Sequence, residues 1–180
     1  MNLWALVPIK PFHAAKTRLR SVLSDSERLE MSKALFQKTM LVLEQVEGIV
    51  GIAVVSAERV DCSAFRKPCL WIDEGGAYGL NAALHLATIA LQSAGAEGLL
   101  IIPADLPMLD KTAVEEMITH ASSGDSLVIA PDRRRDGTNA LLLKPPGLIT
   151  YAFGAHSFAR HVMAAQKNNI DPCIVENEIL

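Results

Sequence analysis

Leu99-Leu100-Ile101-Ile102-Pro103-Ala104-Asp105-Leu106-Pro107 is the stretch that decides how the rest of this chain is read. Its four leading apolar residues read as a buried strand. Pro103 and Pro107 have no N–H to give to a ladder, so the backbone turns out of the sheet there. Asp105 is thereby set at the carboxyl end of a strand, where open α/β sheets bind their ligands. A carboxylate at that edge suits Mg²⁺, which prefers carboxylate, water and phosphate oxygens. Taken alone, the same residue also reads as the cap of a turn or of the next helix.

The pattern on either side alternates strand and helix. Leu3–Ile9 reads as a first strand and is followed by a basic loop reaching about Arg20. Ser24-Asp25-Ser26-Glu27 has the capping-box form, Ser then Glu three residues on. It opens a helix with Leu29, Ser32, Phe36, Met40 and Leu43 on one stripe, ended by Gly48. Val50–Val55 is a β-branched second strand and Cys69–Ile72 a short third. After Gly75-Gly76, Asn81–Ser93 reads as a helix closed by Gly95. Beyond the central strand, Asp110 or Thr112 caps a helix running to about Ala121. Leu127–Ala130, Ala140–Leu143 and Cys173–Val175 read as strands, and His156–Gln166 as a last helix. The expectation is a single α/β domain over residues 1–180 with a mostly parallel sheet.

Composition narrows the function classes. The 180 residues are 50% hydrophobic and 21% charged, which fits one globular domain with a full core. A net charge of −3 gives no reason to expect nucleic acid as a partner, yet Lys10, Lys16, Arg18 and Arg20 cluster near the start. A basic patch on a mildly acidic chain suits a small anion, or is a solvated loop. Three cysteines with no Cys-x-x-Cys pair indicate neither a disulfide framework nor zinc. Leu3–Ile9 is too short for a leader's apolar region, and no run is long enough to span a bilayer. The expectation is a soluble cytoplasmic protein.

Several segments carry possible chemistry. Lys10, Lys16 and Arg18 follow the first strand and would neutralise a triphosphate and its departing pyrophosphate. No Gly-x-x-x-x-Gly-Lys or Gly-x-Gly-x-x-Gly occurs, which disfavours Walker-type and dinucleotide enzymes. Gly75-Gly76-Ala77-Tyr78-Gly79-Leu80-Asn81 permits close approach of backbone to a flat ligand. Asn81 reads equally as a base-edge reader and as a helix cap. Asp136-Gly137-Thr138-Asn139 is a turn signal. Phe153-Gly154-Ala155-His156-Ser157-Phe158 resembles a glycine turn opening a helix, where free N–H groups and a hydroxyl make an anion site. Ser157 also reads as a plain cap.

In order, the chain carries Val7-Pro8-Ile9-Lys10-Pro11, Ala15-Lys16-Thr17-Arg18-Leu19, Gly79-Leu80-Asn81-Ala82-Ala83 and Pro103-Ala104-Asp105-Leu106-Pro107. Asp136-Gly137-Thr138-Asn139-Ala140 and a Phe153-Gly154-x-x-Ser157-Phe158-x-x-His161 segment follow. This series resembles the 2-phospho-L-lactate guanylyltransferases of coenzyme F420 biosynthesis, a group with relatives that use phosphoenolpyruvate or 3-phosphoglycerate. The resemblance implies a single nucleotidyltransferase domain, GT-A-like and Rossmann-like, with a mixed, mostly parallel sheet. It implies transfer of GMP from GTP to the phosphate of a three-carbon phospho-acid, with pyrophosphate released.

By the same resemblance Asp105 is a Mg²⁺ ligand, and Thr138, Gly154 and Ser157 hold the acid. Gly79 and Asn81 lie in the guanine pocket. Analogy with the family also implies a homodimer. The family's second acidic segment and last helix would begin where this sequence stops, so the expected domain lacks them, with Glu176 and Glu178 the nearest acids. Two other readings stand beside this one. One is a different nucleotidyltransferase, such as a molybdopterin guanylyl- or cytidylyltransferase, disfavoured because Pro8-Ile9-Lys10-Pro11 replaces that group's glycine-rich loop. The other is a shortened nucleotide-binding protein that does not turn over.

Overall fold

A computed structural model of the chain describes residues 1–12, 19–121, 123–177 and 180. Strands β1 (Leu3–Pro8), β2 (Ile49–Ser56), β3 (Cys69–Asp73), β4 (Gly98–Ile101), β5 (Ser126–Pro131), β6 (Thr138–Lys144) and β7 (Cys173–Ile174) form one sheet. Its order is β3-β2-β1-β4-β6-β5-β7. All neighbours are parallel except β6, which runs against both β4 and β5. Helices α1 (Asp25–Gln45), α2 (Leu80–Ser93), α3 (Lys111–Thr119) and α4 (Ser157–Lys167) cover it. The mixed, mostly parallel α/β sheet is as expected.

Strict alternation along the strands sends side chains to two cores. Leu3, Ala5, Val7, Ile52, Val54, Leu100, Val128 and Leu142 face α1 and α3. Leu6, Ala53, Val55, Leu99, Ile101, Ile129 and Leu141 face α2 and α4. Both faces of the central strands are therefore apolar, and β4 and β5 are buried throughout. Trp4 lies opposite Gly51 in the β1–β2 register. A Cβ on Gly51 would come within 2.6 Å of the indole, so that position is glycine because the Trp4 ring crosses it.

Local signals set most helix ends. Ser24 Oγ accepts from the Glu27 amide at 3.3 Å, and Glu27 Oε2 accepts from the Ser24 amide at 2.8 Å, completing the capping box. Asp110 caps α3 by accepting from the Ala113 amide. Gly95, at φ 85°, closes α2 with the paired bonds Gly95 N to Gln92 O and Ala96 N to Leu91 O.

Other ends depart from the sequence expectation. Helix α1 ends at Gln45 with Val46 in extended backbone, before Gly48 is reached. Lys67 Nζ reaches across from the β3 approach to the carbonyls of Val46 and Ile49. The buried stripe of α1 takes Arg28 in place of the half-buried Leu29. The β5–β6 connection is a six-residue loop, 132–137, organised by Asp132, whose Oδ1 accepts from the amides of Arg134 and Asp136. Gly137 is there for clearance: a Cβ on it would lie 2.9 Å from Asp132 Oδ2.

Candidate active site

The chain leaves β1 for β2 on one side and returns with β4 on the other, so the strand order reverses between β1 and β4. Crevices form at such points, outside the carboxyl ends. Lys10 follows β1 and Asp105 follows β4, and both are exposed. These strands are adjacent and parallel, so the cation and the carboxylate emerge at one edge. Lys16 and Arg18 lie outside the described residues. A pocket at this edge, over the ends of β1 and β2, is lined by Ile9, Lys10, Pro11, Phe12, Ser56 and Arg59 among others. The Arg59 guanidinium stands 5.9 Å from the centroid of the Trp71 ring.

Because β6 runs backwards, its first residue, Thr138, stands at the carboxyl edge. Ile101 pairs with Leu141, so the same register carries Thr138 out towards the loop that holds Asp105. Thr138 is buried, and its Oγ1 lies 3.0 Å from His161 Nδ1 on α4. The N-termini of α2 and α4 open onto the same edge. Gly79, at φ 85°, is the N-cap of α2, which has no side-chain cap bond; Asn81 is thus not the cap.

Asn81 instead reaches the loop before α4. Its Nδ2 donates to Phe153 O at 3.0 Å and its Oδ1 accepts from Phe153 N at 2.8 Å. The preceding two residues are held as firmly. Ala152 N donates to His161 Nε2 at 3.0 Å. The Tyr151 hydroxyl lies 2.6 Å from Thr88 Oγ1, which itself donates to Leu84 O. Burial pushes the Tyr151 phenol up, against the lowering effect of Thr88.

The other flank of the loop is fixed by Asp136. Its carbonyl accepts from Phe158 N at 3.1 Å, and its carboxylate lies 2.6 Å from His156 Nδ1. Arg135 stacks over Phe158 at 4.9 Å and pairs with Glu176. Arg135, the last of three successive arginines, thus ties this loop to α4 and to the stretch after β7.

Gly154 (φ 122°) and the left-handed N-cap His156 (φ 55°) bend the chain so that the amide end of α4 faces the edge, with Ser157 buried at its first position. Ser157 is thus the first helical residue, and the cap position belongs to His156. A Cβ on Gly154 would meet nothing within 4 Å, so its backbone angle, not protein packing, requires glycine. The positive end of the helix dipole and the two hydroxyls of Thr138 and Ser157 make this corner suited to an anion. Burial, with Arg160 close by, lowers the His161 pKa to about 4.

The donor set for a metal is sparse. Among the described residues no three His, Cys, Asp or Glu side chains gather as a metal cage. Glu176 is engaged by Arg135, and Glu178 lies outside the described residues. One carboxylate, Asp105, fits an ion such as Mg²⁺ that keeps its waters and arrives with substrate phosphates.

Of the residues expected from sequence, Lys10, Asp105, Thr138, Gly154, Ser157, Gly79 and Asn81 all come to one edge. Sequence reasoning gave no role to His161, Tyr151 or Asp136. Only the motif position of His161 and the turn position of Asp136 hinted at them.

The family profile described as "Guanylyl transferase CofC like" matches residues 3–177. A phosphoenolpyruvate guanylyltransferase of Rubrobacter xylanophilus is 34% identical over 171 residues, covering 94% of this chain and 82% of that protein. A 2-phospho-L-lactate guanylyltransferase of Methanothermobacter thermautotrophicus is 32% identical over 178 residues, covering 98% and 77%. Among solved structures, a 4-diphosphocytidyl-2C-methyl-D-erythritol synthase superposes with a TM-score of 0.66 at 16% identity, covering 98% of this chain and 89% of that one. The corresponding synthase of Anaerococcus prevotii gives 0.65 at 10% identity, covering 97% and 86%. These two likenesses concern the fold.

Proposed function

The chain belongs to the CofC-like guanylyl transferase family, and from that premise we propose that it moves GMP from GTP to the phosphate of a three-carbon phospho-acid in coenzyme F420 biosynthesis. The acid is phosphoenolpyruvate, 2-phospho-L-lactate or 3-phosphoglycerate. The observation that carries this reading is the meeting of Thr138, Gly154 and Ser157 at the edge where Asp105 and Lys10 emerge.

An oxygen of the acid's phosphate attacks the α-phosphorus of GTP. The bond from that phosphorus to the α,β-bridging oxygen breaks, and pyrophosphate leaves with the electron pair. A phosphate monoester is largely dianionic at neutral pH, so the nucleophile needs no base. The work left to the chain is positioning and neutralisation of charge. The α4 amide end, Ser157 and Thr138 hold the acid. The positive charges of Lys10, Lys16 and Arg18 neutralise the triphosphate, and Gly79 and Asn81 border the guanine. Asp105, with the nucleotide phosphates, would hold Mg²⁺, which would supply charge neutralisation at the α-phosphate.

We place the reaction in the cytoplasm, supported by free thiols at Cys62, Cys69 and Cys173. No described helix is long and apolar enough to cross a membrane. A homodimer belongs to the same reading, supported by the exposed apolar side chains Tyr78, Leu86 and Ile89; sedimentation equilibrium tests it.

The decisive experiment is mass spectrometry of products after incubation with GTP, Mg²⁺ and a mixture of the three acids. The expected result is one guanosine diphosphate ester with pyrophosphate. Bound GTP without any ester overturns the reading, and equal turnover of CTP or ATP removes its guanine part.

A further inference from the structure

His161 carries no role in the reaction as written, yet its surroundings determine what it does. The ring is wholly buried on α4. Its Nε2 lies 3.0 Å from the Ala152 amide nitrogen, and a peptide N–H only donates, so Nε2 carries no proton. A neutral imidazole then holds its one proton on Nδ1. Nδ1 lies 3.0 Å from Thr138 Oγ1, so the ring donates and the hydroxyl accepts. Thr138 thus keeps its own proton to give, and His161 cannot take it. The imidazole is also unable to turn over. The Phe153 ring stands edge-on to it at 4.9 Å, and the Phe153 peptide is gripped by Asn81 on both sides.

We infer that His161 is a positioning residue that makes Thr138 a one-way hydroxyl donor aimed at the anionic acid, an inference that rests on the proposed function for the acid's identity. A threonine hydroxyl free to rotate both donates and accepts, and so tolerates amines and alcohols as well as anions. With one lone pair already occupied by Nδ1–H, Thr138 favours an acceptor such as a carboxylate or phosphate oxygen. The same ring anchors Ala152, so the donor and the loop bearing Gly154 are fixed by one side chain.

Two near-isosteric variants divide these jobs. His161→Gln sets an amide oxygen near the Nε2 position, keeping an acceptor for Ala152 N–H and losing the donor to Thr138. His161→Asn sets an amide nitrogen near Nδ1 and keeps the donor instead. Loss of one hydrogen bond that orients a donor to a charged group corresponds to about a tenfold change in binding. Steady-state kinetics with GTP and each phospho-acid is therefore expected to show the KM for the acid rising about tenfold in His161→Gln, with smaller changes in kcat and in the KM for GTP. His161→Asn stays nearer the wild type in that constant. The double variant Thr138→Val/His161→Gln matches Thr138→Val alone, since His161 acts through that hydroxyl.

An unchanged acid KM in His161→Gln, or additive effects in the double variant, overturns the inference. Imidazole ¹⁵N NMR of the wild-type protein reads the tautomer without any substrate. A proton on Nδ1 is the expected result, and a proton on Nε2 overturns the inference. A wild type that transfers to none of the acids overturns the proposed function instead, and the tautomer then decides the His161 inference by itself.

Discussion

Asp105 and Gly154 carry the sharpest demands at the residue scale. Asp105 is the one exposed carboxylate on the loop that follows β4, and its charge is what a Mg²⁺–nucleotide complex would need there. Asp105→Asn is isosteric, so the circular dichroism spectrum is expected to stay unchanged while Mg²⁺-dependent transfer falls by at least about 100-fold. Unaltered turnover would remove the residue from the metal site. Gly154 sits at φ 122°, a backbone angle that a Cβ strains. Gly154→Ala is expected to weaken acid binding more than GTP binding, measured as separate KM values. Equal losses in both would mean that the strain spreads through the fold.

At the scale of elements, single contacts decide boundaries and register. The Ser24 cap bonds stand at the exposed start of α1. Ser24→Ala is expected to cost about 1 kcal/mol in denaturant unfolding, the usual worth of such a cap. Gly51→Ala would drive a methyl into the Trp4 ring. Overpacking of that kind costs about 1–3 kcal/mol. A loss that is restored by pairing the change with Trp4→Leu would confirm the clash, and one that is not would refute it.

The elements were legible in the sequence wherever the signal is local. Short apolar and β-branched runs gave the strands, and Ser24, Asp110 and Gly95 gave helix ends, because these signals act within a few residues. The end of α1 was not legible. The chain turns extended at Val46, and the carbonyls of Ile49 and Val46 are met by Lys67, 18 and 21 residues further on. Nor was the direction of β6, since the apolar run Ala140–Leu143 reads the same both ways. The β5–β6 loop hid its organiser as well: Asp136-Gly137 looks like a tight turn, but the side chain that closes the loop is Asp132.

At the scale of the whole molecule, candidate residues remote in sequence meet because both the reversal of strand order and the reversed β6 deliver their ends to one edge. Sequence gave their chemical types by motif. It did not give the contacts between them, which span 72 residues for Asn81 with Phe153 and 23 for Thr138 with His161.

The buried His161 also gives stability a pH dependence. Its pKa falls from the ordinary 6.5 to about 4 in the fold, mainly through burial and also through Arg160. An unfolded chain takes up that proton below about 6.5, whereas the folded one does so only below about 4. The contribution is therefore complete above the first value and is lost as pH falls through the second. Its size is at most about 3 kcal/mol. Urea unfolding at a series of pH values should show this decline, and His161→Gln should flatten it; a decline of equal size in the variant would assign it to other groups.

Residues 151–153 belong to no helix or strand, yet three successive positions are moored to three different side chains, on α2 and α4. Irregular chain at a binding edge is ordinarily the first part of a protein to loosen. Here the amides of Ala152 and Phe153 should trade their hydrogens with deuterated water at the slow pace of the sheet interior. The acid would then dock on a berth already built before it arrives, and little of its binding energy would be spent on putting that stretch in order.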